Sequence, residues 1–70
     1  MAELVDLEKE KARIAAEIEK SRKFAQSIEN KLGNKAFVER APEAVVNAER
    51  EKLEKTKALI EKLEESLKLL

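Results

Sequence analysis

Neither cysteine nor histidine occurs anywhere in the 70 residues. Disulfide staples, thiolate chemistry and the usual zinc sites are therefore excluded by inventory, and the lack of cysteine suits a cytoplasmic protein. The hydroxyls are Ser21, Ser27, Thr56 and Ser66, with no imidazole or thiol to form a nucleophile–base pair. Aromatics amount to two phenylalanines, and glycine and proline occur once each, so no glycine-rich phosphate loop exists. No apolar run approaches the ~20 residues that a bilayer span requires. The opening Met1-Ala2-Glu3-Leu4-Val5-Asp6 has neither the basic nor the apolar region of a signal peptide. These absences predict a soluble, non-membrane segment with no catalytic residues, no metal and no cofactor of its own.

What remains is charged and hydrophobic side chains, each 43% of the chain. A mix of Ala, Glu, Lys and Leu at this density is the composition of long helices and coiled coils. Leu4, Leu7, Lys11, Ile14, Ile18, Ser21, Ala25, Ile28 and Leu32 recur at alternating spacings of three and four. That is an a/d seam, the pattern that packs knobs into holes. Val46, Glu49, Leu53, Thr56, Ile60, Leu63, Leu67 and Leu70 form a second.

Between the seams lies the punctuation. Gly33-Asn34 reads as a helix stop, because both residues tolerate the left-handed conformation that closes a C-terminus. Pro42-Glu43 reads as a helix start, with proline losing no hydrogen bond and Glu43 favoured by the helix dipole. Phe37-Val38 is too apolar for a free loop and predicts a helical turn folded over the open end. The expected architecture is all-α: an antiparallel two-helix coiled-coil hairpin with a short helical turn at the tip. Residues 1–70 form one domain, with helix 1 over about 3–32, the tip over 33–42 and helix 2 over about 43–69. Short connections make neighbouring helices antiparallel, which favours folding back over pairing between chains.

A seam-to-seam register can be drawn that sets Leu4 against Leu70, Leu7 against Leu67, Ile14 against Ile60, Ile18 against Thr56 and Ile28 against Val46. Ser21 then faces Leu53 and Ala25 faces Glu49, a middle poorer in apolar area than the two ends. Glu49 is expected to reach past Ala25 to Arg22 or Arg50. Phe24 lies beside the seam, and widening the core is its expected role; stacking on an unpaired base is the alternative.

Fifteen basic and fifteen acidic residues cancel, but not locally. Residues 20–57 carry ten basic and six acidic side chains, leaving the outer half at +4 and the root at −4. A rod with a cationic outer half suits phosphate. Lys20, Arg22, Lys23, Lys31, Lys35, Arg40, Arg50 and Lys57 are the candidate RNA contacts. Arg22, Arg50 and Lys57 share one edge of the hairpin, where Glu29 and Glu43 could partly pair with them. A solvated face of i,i+4 pairs is the plainer reading of the same charges.

Lys31 to Leu53 reads Lys-Leu-Gly-Asn-Lys-Ala-Phe-Val-Glu-Arg-Ala-Pro-Glu-Ala-Val-Val-Asn-Ala-Glu-Arg-Glu-Lys-Leu. This resembles the tip of the C-terminal coiled-coil arm of valyl-tRNA synthetases. The likeness rests on Leu32, Asn34, Phe37, Val38, Ala41, Pro42, Val45, Val46, Glu49, Arg50, Lys52 and Leu53. Val5-Asp6-Leu7-Glu8-Lys9-Glu10 is similar to the family's approach to the arm. Phe24, where relatives more often carry a smaller or polar residue, and Ser21 depart from the pattern.

The resemblance implies a tRNA-binding arm that braces the outer corner of tRNA, where the D and T loops meet. It implies a parent that joins valine to its tRNA with ATP and edits mischarged threonine in the cytoplasm. The partners it implies are tRNA and the synthetase's own catalytic body, with the isolated arm a monomer. It also implies that the chain is excised from a longer protein, with Met1 an added start and Leu70 near the natural C-terminus. Two rivals stand beside it: a protein-interaction or self-associating coiled coil without an RNA role, and the RNA-facing coiled coil of some ribosome-associated ATPases.

Overall fold

The structure is a computed structural model that describes the backbone of residues 2–70 and the side chains of residues 6–70. Three helices follow in order: α1 (Ala2–Leu32), α2 (Lys35–Arg40) and α3 (Glu43–Leu69). Helices α1 and α3 pack side by side in a rod of 57 × 14 × 13 Å. The expected all-α hairpin with a helical turn at its tip is what forms.

Helix α1 runs unbroken for 31 residues because no glycine or proline interrupts it. Its buried side chains are Ile14, Ile18, Ser21, Ala25 and Ile28, the middle of the first seam. On α3, Val46 and Thr56 are buried, while Glu49, Leu53, Ile60, Leu63 and Leu67 are half-buried. Ile28, 2% exposed, is the most enclosed large side chain. Burial thus follows the alternating three-and-four spacing on both strands of the rod. Small and polar residues still occupy the middle: Thr56 satisfies its hydroxyl by donating to the Lys52 carbonyl at 2.7 Å.

The tip differs in detail from the expectation. No described residue has positive φ, so Gly33-Asn34 does not close α1 in the left-handed region. Gly33 N–H donates to the Glu29 carbonyl at 2.8 Å, and Asn34 N–H donates to the Lys31 carbonyl at 3.1 Å. The last turn tightens instead of reversing hand. Asn34 is extended (φ −88°, ψ 109°), and its side-chain oxygen accepts from Ala36 N–H at 3.0 Å. It caps the start of α2, a task that requires an extended backbone. The chain reverses at Ala41-Pro42, both extended, and the Pro42 carbonyl receives the first bonds of α3 from Val45 and Val46. Phe37 and Val38 are half-buried on α2.

The register also differs. Ile14 shares a groove with Leu63 and Leu70, and Ile18 shares one with Glu64 and Leu67. Arg22 bonds to Glu64 and Lys31 lies 3.6 Å from Glu49. The expected pairings of Ile14 with Ile60, Ile18 with Thr56 and Ile28 with Val46 are therefore displaced by about one heptad. The cause is α2. It carries the chain outward for one and a half turns before the reversal, so α3 begins further along the rod. A heptad seam accepts either register equally, and the tip decides. One consequence is that α1 overruns the end of α3. Leu7, expected against Leu67, is 38% exposed, and the expected Leu4–Leu70 pair lies outside the described side chains.

Candidate nucleic-acid interface

A two-helix antiparallel rod has two long edges beside its seam. Heptad positions e of both helices line one edge, and positions g line the other. Cross-helix ion pairs fix which residues lie where. On the first edge Arg22 Nη2 donates to Glu64 Oε2. On the second, Lys31 approaches the Glu49 carboxylate from across the seam at 3.6 Å, and Lys52 approaches it from the same helix at 3.9 Å.

Glu49 sits in the seam with its side chain only 12% exposed. Its expected partners are Arg22 or Arg50, but in the displaced register the lysines of the opposite edge are the cations within reach. Two ammonium groups share one carboxylate there, which leaves the edge net positive around Glu49; among the described side chains, the edge's other acidic residues, Glu10 and Glu17, lie towards the root. Phe24 lies on the same edge and is 51% exposed, so it does not widen the core as expected.

The eight candidate residues divide. Lys20 and Lys31 lie on the lysine-lined side, and Lys23 points outward from α1; all three are exposed. Lys35 and Arg40 open and close α2 at the tip. Arg50 and Lys57 line one shallow groove of α3 with Glu51 and Glu54. Arg22, expected free for phosphate, spends its guanidinium on Glu64 at the other end of the same edge. The expected carboxylates Glu29 and Glu43 take no part in the ion pairs formed among the described residues. Near the root, the Arg13 guanidinium donates to the Glu10 carboxylate, and that bond raises the Arg13 pKa from its ordinary value.

Grooves on the rod, both between α1 and α3 and along α3, are open furrows lined largely by charged side chains. Among the described residues no cluster of acidic side chains is arranged to hold a metal, and no helix is long and apolar enough to cross a membrane. Fold and side chains together define a class: a helical-hairpin arm with a cationic outer half, offering surface rather than an enclosed pocket.

Comparison with known proteins gives that class a family. The family model described as the valyl tRNA synthetase tRNA binding arm matches residues 6–70, and the chain belongs to that family. It is 43% identical over 67 residues to the valine–tRNA ligase of Clostridium acetobutylicum, covering 96% of this chain and 8% of that protein. The ligase of Chlorobaculum tepidum is 43% identical over 67 residues, covering 96% and 7%. That of Francisella tularensis is 48% identical over 62 residues, covering 89% and 7%. The chain thus spans less than a tenth of the length of these curated relatives. No solved structure matches it.

Proposed function

We propose that this chain is the tRNA-binding arm of a valine–tRNA ligase, and that it braces the outer corner of tRNA. The observation that carries the reading is a family match over residues 6–70 on a rod 57 Å long whose outer half is cationic. The parent would join valine to its tRNA with ATP and hydrolyse mischarged threonine, in the cytoplasm; the arm supplies binding alone. Of the eight candidate contacts, Lys20, Lys23, Lys31, Lys35 and Arg40 stand clear of the glutamate-rich edge that holds Arg22, Arg50 and Lys57, and supply the cations for the phosphates. A helical rod of this kind recognises folded RNA through backbone and shape, since it cannot read the deep groove of A-form RNA.

As a monomeric arm it binds weakly on its own and gains most when tethered to the catalytic body, because the second contact is then intramolecular. Deleting residues 6–70 from the parent ligase should raise KM for tRNA by about tenfold or more while ATP-dependent activation of valine is unchanged. An unaltered KM for tRNA would overturn the reading. The interaction-module alternative predicts a concentration-dependent dimer in sedimentation, where the arm reading predicts a monomer.

A further inference from the structure

We infer that one side of the hairpin, the side built from heptad positions c and g, is the surface that docks on tRNA, with Phe24 at its centre. The inference rests on the proposed tRNA-binding role and narrows it to one face. Buried Ile14, Ile18, Ser21, Ala25 and Ile28 on α1, with Val46 and Thr56 on α3, fix the heptad assignment of every other position. Between residues 17 and 66, positions c and g then contain Lys20, Lys31, Lys52, Lys55 and Lys62 against one acidic residue, Glu17, at the root end. Positions b and e over the same span contain Glu19, Glu29, Glu43, Glu54, Glu61 and Glu64 against Arg22, Arg50 and Lys57. Two sides of one rod, about one helix diameter apart, thus carry opposite net charge.

The ion pairs reinforce the division. On the acidic side, Arg22 is tied to Glu64. On the lysine side, the nearest carboxylate is Glu49, recessed in the seam beneath Lys31 and Lys52. Lys20, Lys55 and Lys62 are exposed and form no ion pair among the described residues.

A second observation points to the same side. Away from the root, the exposed large hydrophobics among the described residues are Phe24 (51%), Val45 (43%) and Leu59 (46%). All three occupy position g. Flanking ammonium groups with an aromatic and two aliphatic side chains between them suit a ligand that presents phosphate beside flat apolar rings. Folded RNA with unstacked loop bases has that chemistry: phosphates pair with lysines, and an exposed base or ribose packs on the Phe24 ring. A duplex offering only phosphate would leave the apolar centre unpaired.

Four neighbouring positions allow a matched test. Ser27 and Ala48 lie at c, on the lysine side, while Gln26 and Asn47 lie at b, on the acidic side, and all four are exposed. The double variants Ser27→Glu/Ala48→Glu and Gln26→Glu/Asn47→Glu introduce the same charge one residue apart in sequence. At ~0.1 M salt the Debye length of about 10 Å, close to the separation of the two sides, attenuates the influence of a charge on one side at the other. Circular dichroism verifies that both variants keep their helices. Binding of a fluorescently labelled tRNA transcript with a valine anticodon is then read by anisotropy. The c-position pair should weaken binding about tenfold, and the b-position pair by less than about twofold.

The chain has no Trp or Tyr, so Phe24→Trp gives a single reporter, whose emission should be quenched when tRNA binds. Equal losses in both double variants, a larger loss in the b-position pair, or unquenched indole emission from the Phe24→Trp variant at saturation would overturn the face while leaving the tRNA role intact. A wild-type chain that ignores tRNA overturns both. So does one that instead binds phosphatidylserine vesicles through the same lysines.

Discussion

The two long sides of the hairpin flank the same seam and are built from the same few residue types, yet they end up chemically unlike. Between residues 17 and 66, one side has lysines around Phe24 and Leu59 with the recessed Glu49 and, at the root end, Glu17; on the other, six glutamates outnumber three basic residues. Core positions decide that the chain doubles back and say nothing about this contrast. The contrast arises from which residues sit one step to either side of the core positions. Packing and recognition are thus written at different heptad positions, and changes at one should leave the other largely alone.

The largest expected effect is one that strikes both sides equally. Ile28→Ala removes a side chain only 2% exposed and should destabilise the rod by about 3 kcal/mol, read by urea denaturation. A cost below about 1 kcal/mol would mean the seam is looser than described.

Glu49→Leu acts on the lysine side alone. It replaces a charged seam residue by an apolar one and frees Lys31 and Lys52, so stability should rise by about 1 kcal/mol. Affinity for tRNA should rise with it, and a fall in either would break the assignment of Glu49 as a recessed counter-charge.

A smaller effect belongs to the acidic side. The Arg22 and Glu64 side chains are 58% and 40% exposed, so a double-mutant cycle should return under about 1 kcal/mol of coupling. At the tip, Gly33 lacks positive φ, and a Cβ there would meet the Glu29 carbonyl at 3.2 Å. Gly33→Ala should be within about 0.5 kcal/mol of neutral, because the mild crowding is offset by a less flexible unfolded chain. A left-handed Gly33 would instead lose about 1–2 kcal/mol.

Much of this architecture is legible in the residues themselves. Alternating threes and fours from Ile14 to Ile28 and from Val46 to Leu67 mark the buried stripes, and Phe37-Val38 marks the helical tip. The register is not legible, since seams repeating every seven residues satisfy two alignments equally and only the length of α2 separates them. Treating α2 as an outward extension, rather than as a cap on the reversal, moves every pairing by one heptad. The partners of Glu49 and Arg22 move with it, because both depend on what lies across the seam.

Asn34 has the features of a stop, but its second use as the cap of α2 outweighs the first. Phe24 is close enough to the seam to suggest burial, yet at position g a ring on so narrow a rod has no third helix to cover it. Among the basic residues, a shared edge draws Arg22, Arg50 and Lys57 together, but that side of the rod also carries Glu29, Glu43, Glu54, Glu61 and Glu64. Counting acidic residues on each side is the signal that brings Lys52, Lys55 and Lys62 forward.

The most direct measurement is a nitrogen-15 NMR titration of the chain with tRNA, following backbone amides residue by residue. Shifts and broadening should concentrate at Lys20, Phe24, Lys52, Lys55 and Leu59, with Glu19, Glu54 and Glu61 nearly still. Perturbation centred on those glutamates, with the Phe24 side silent, would contradict a lysine-lined docking face.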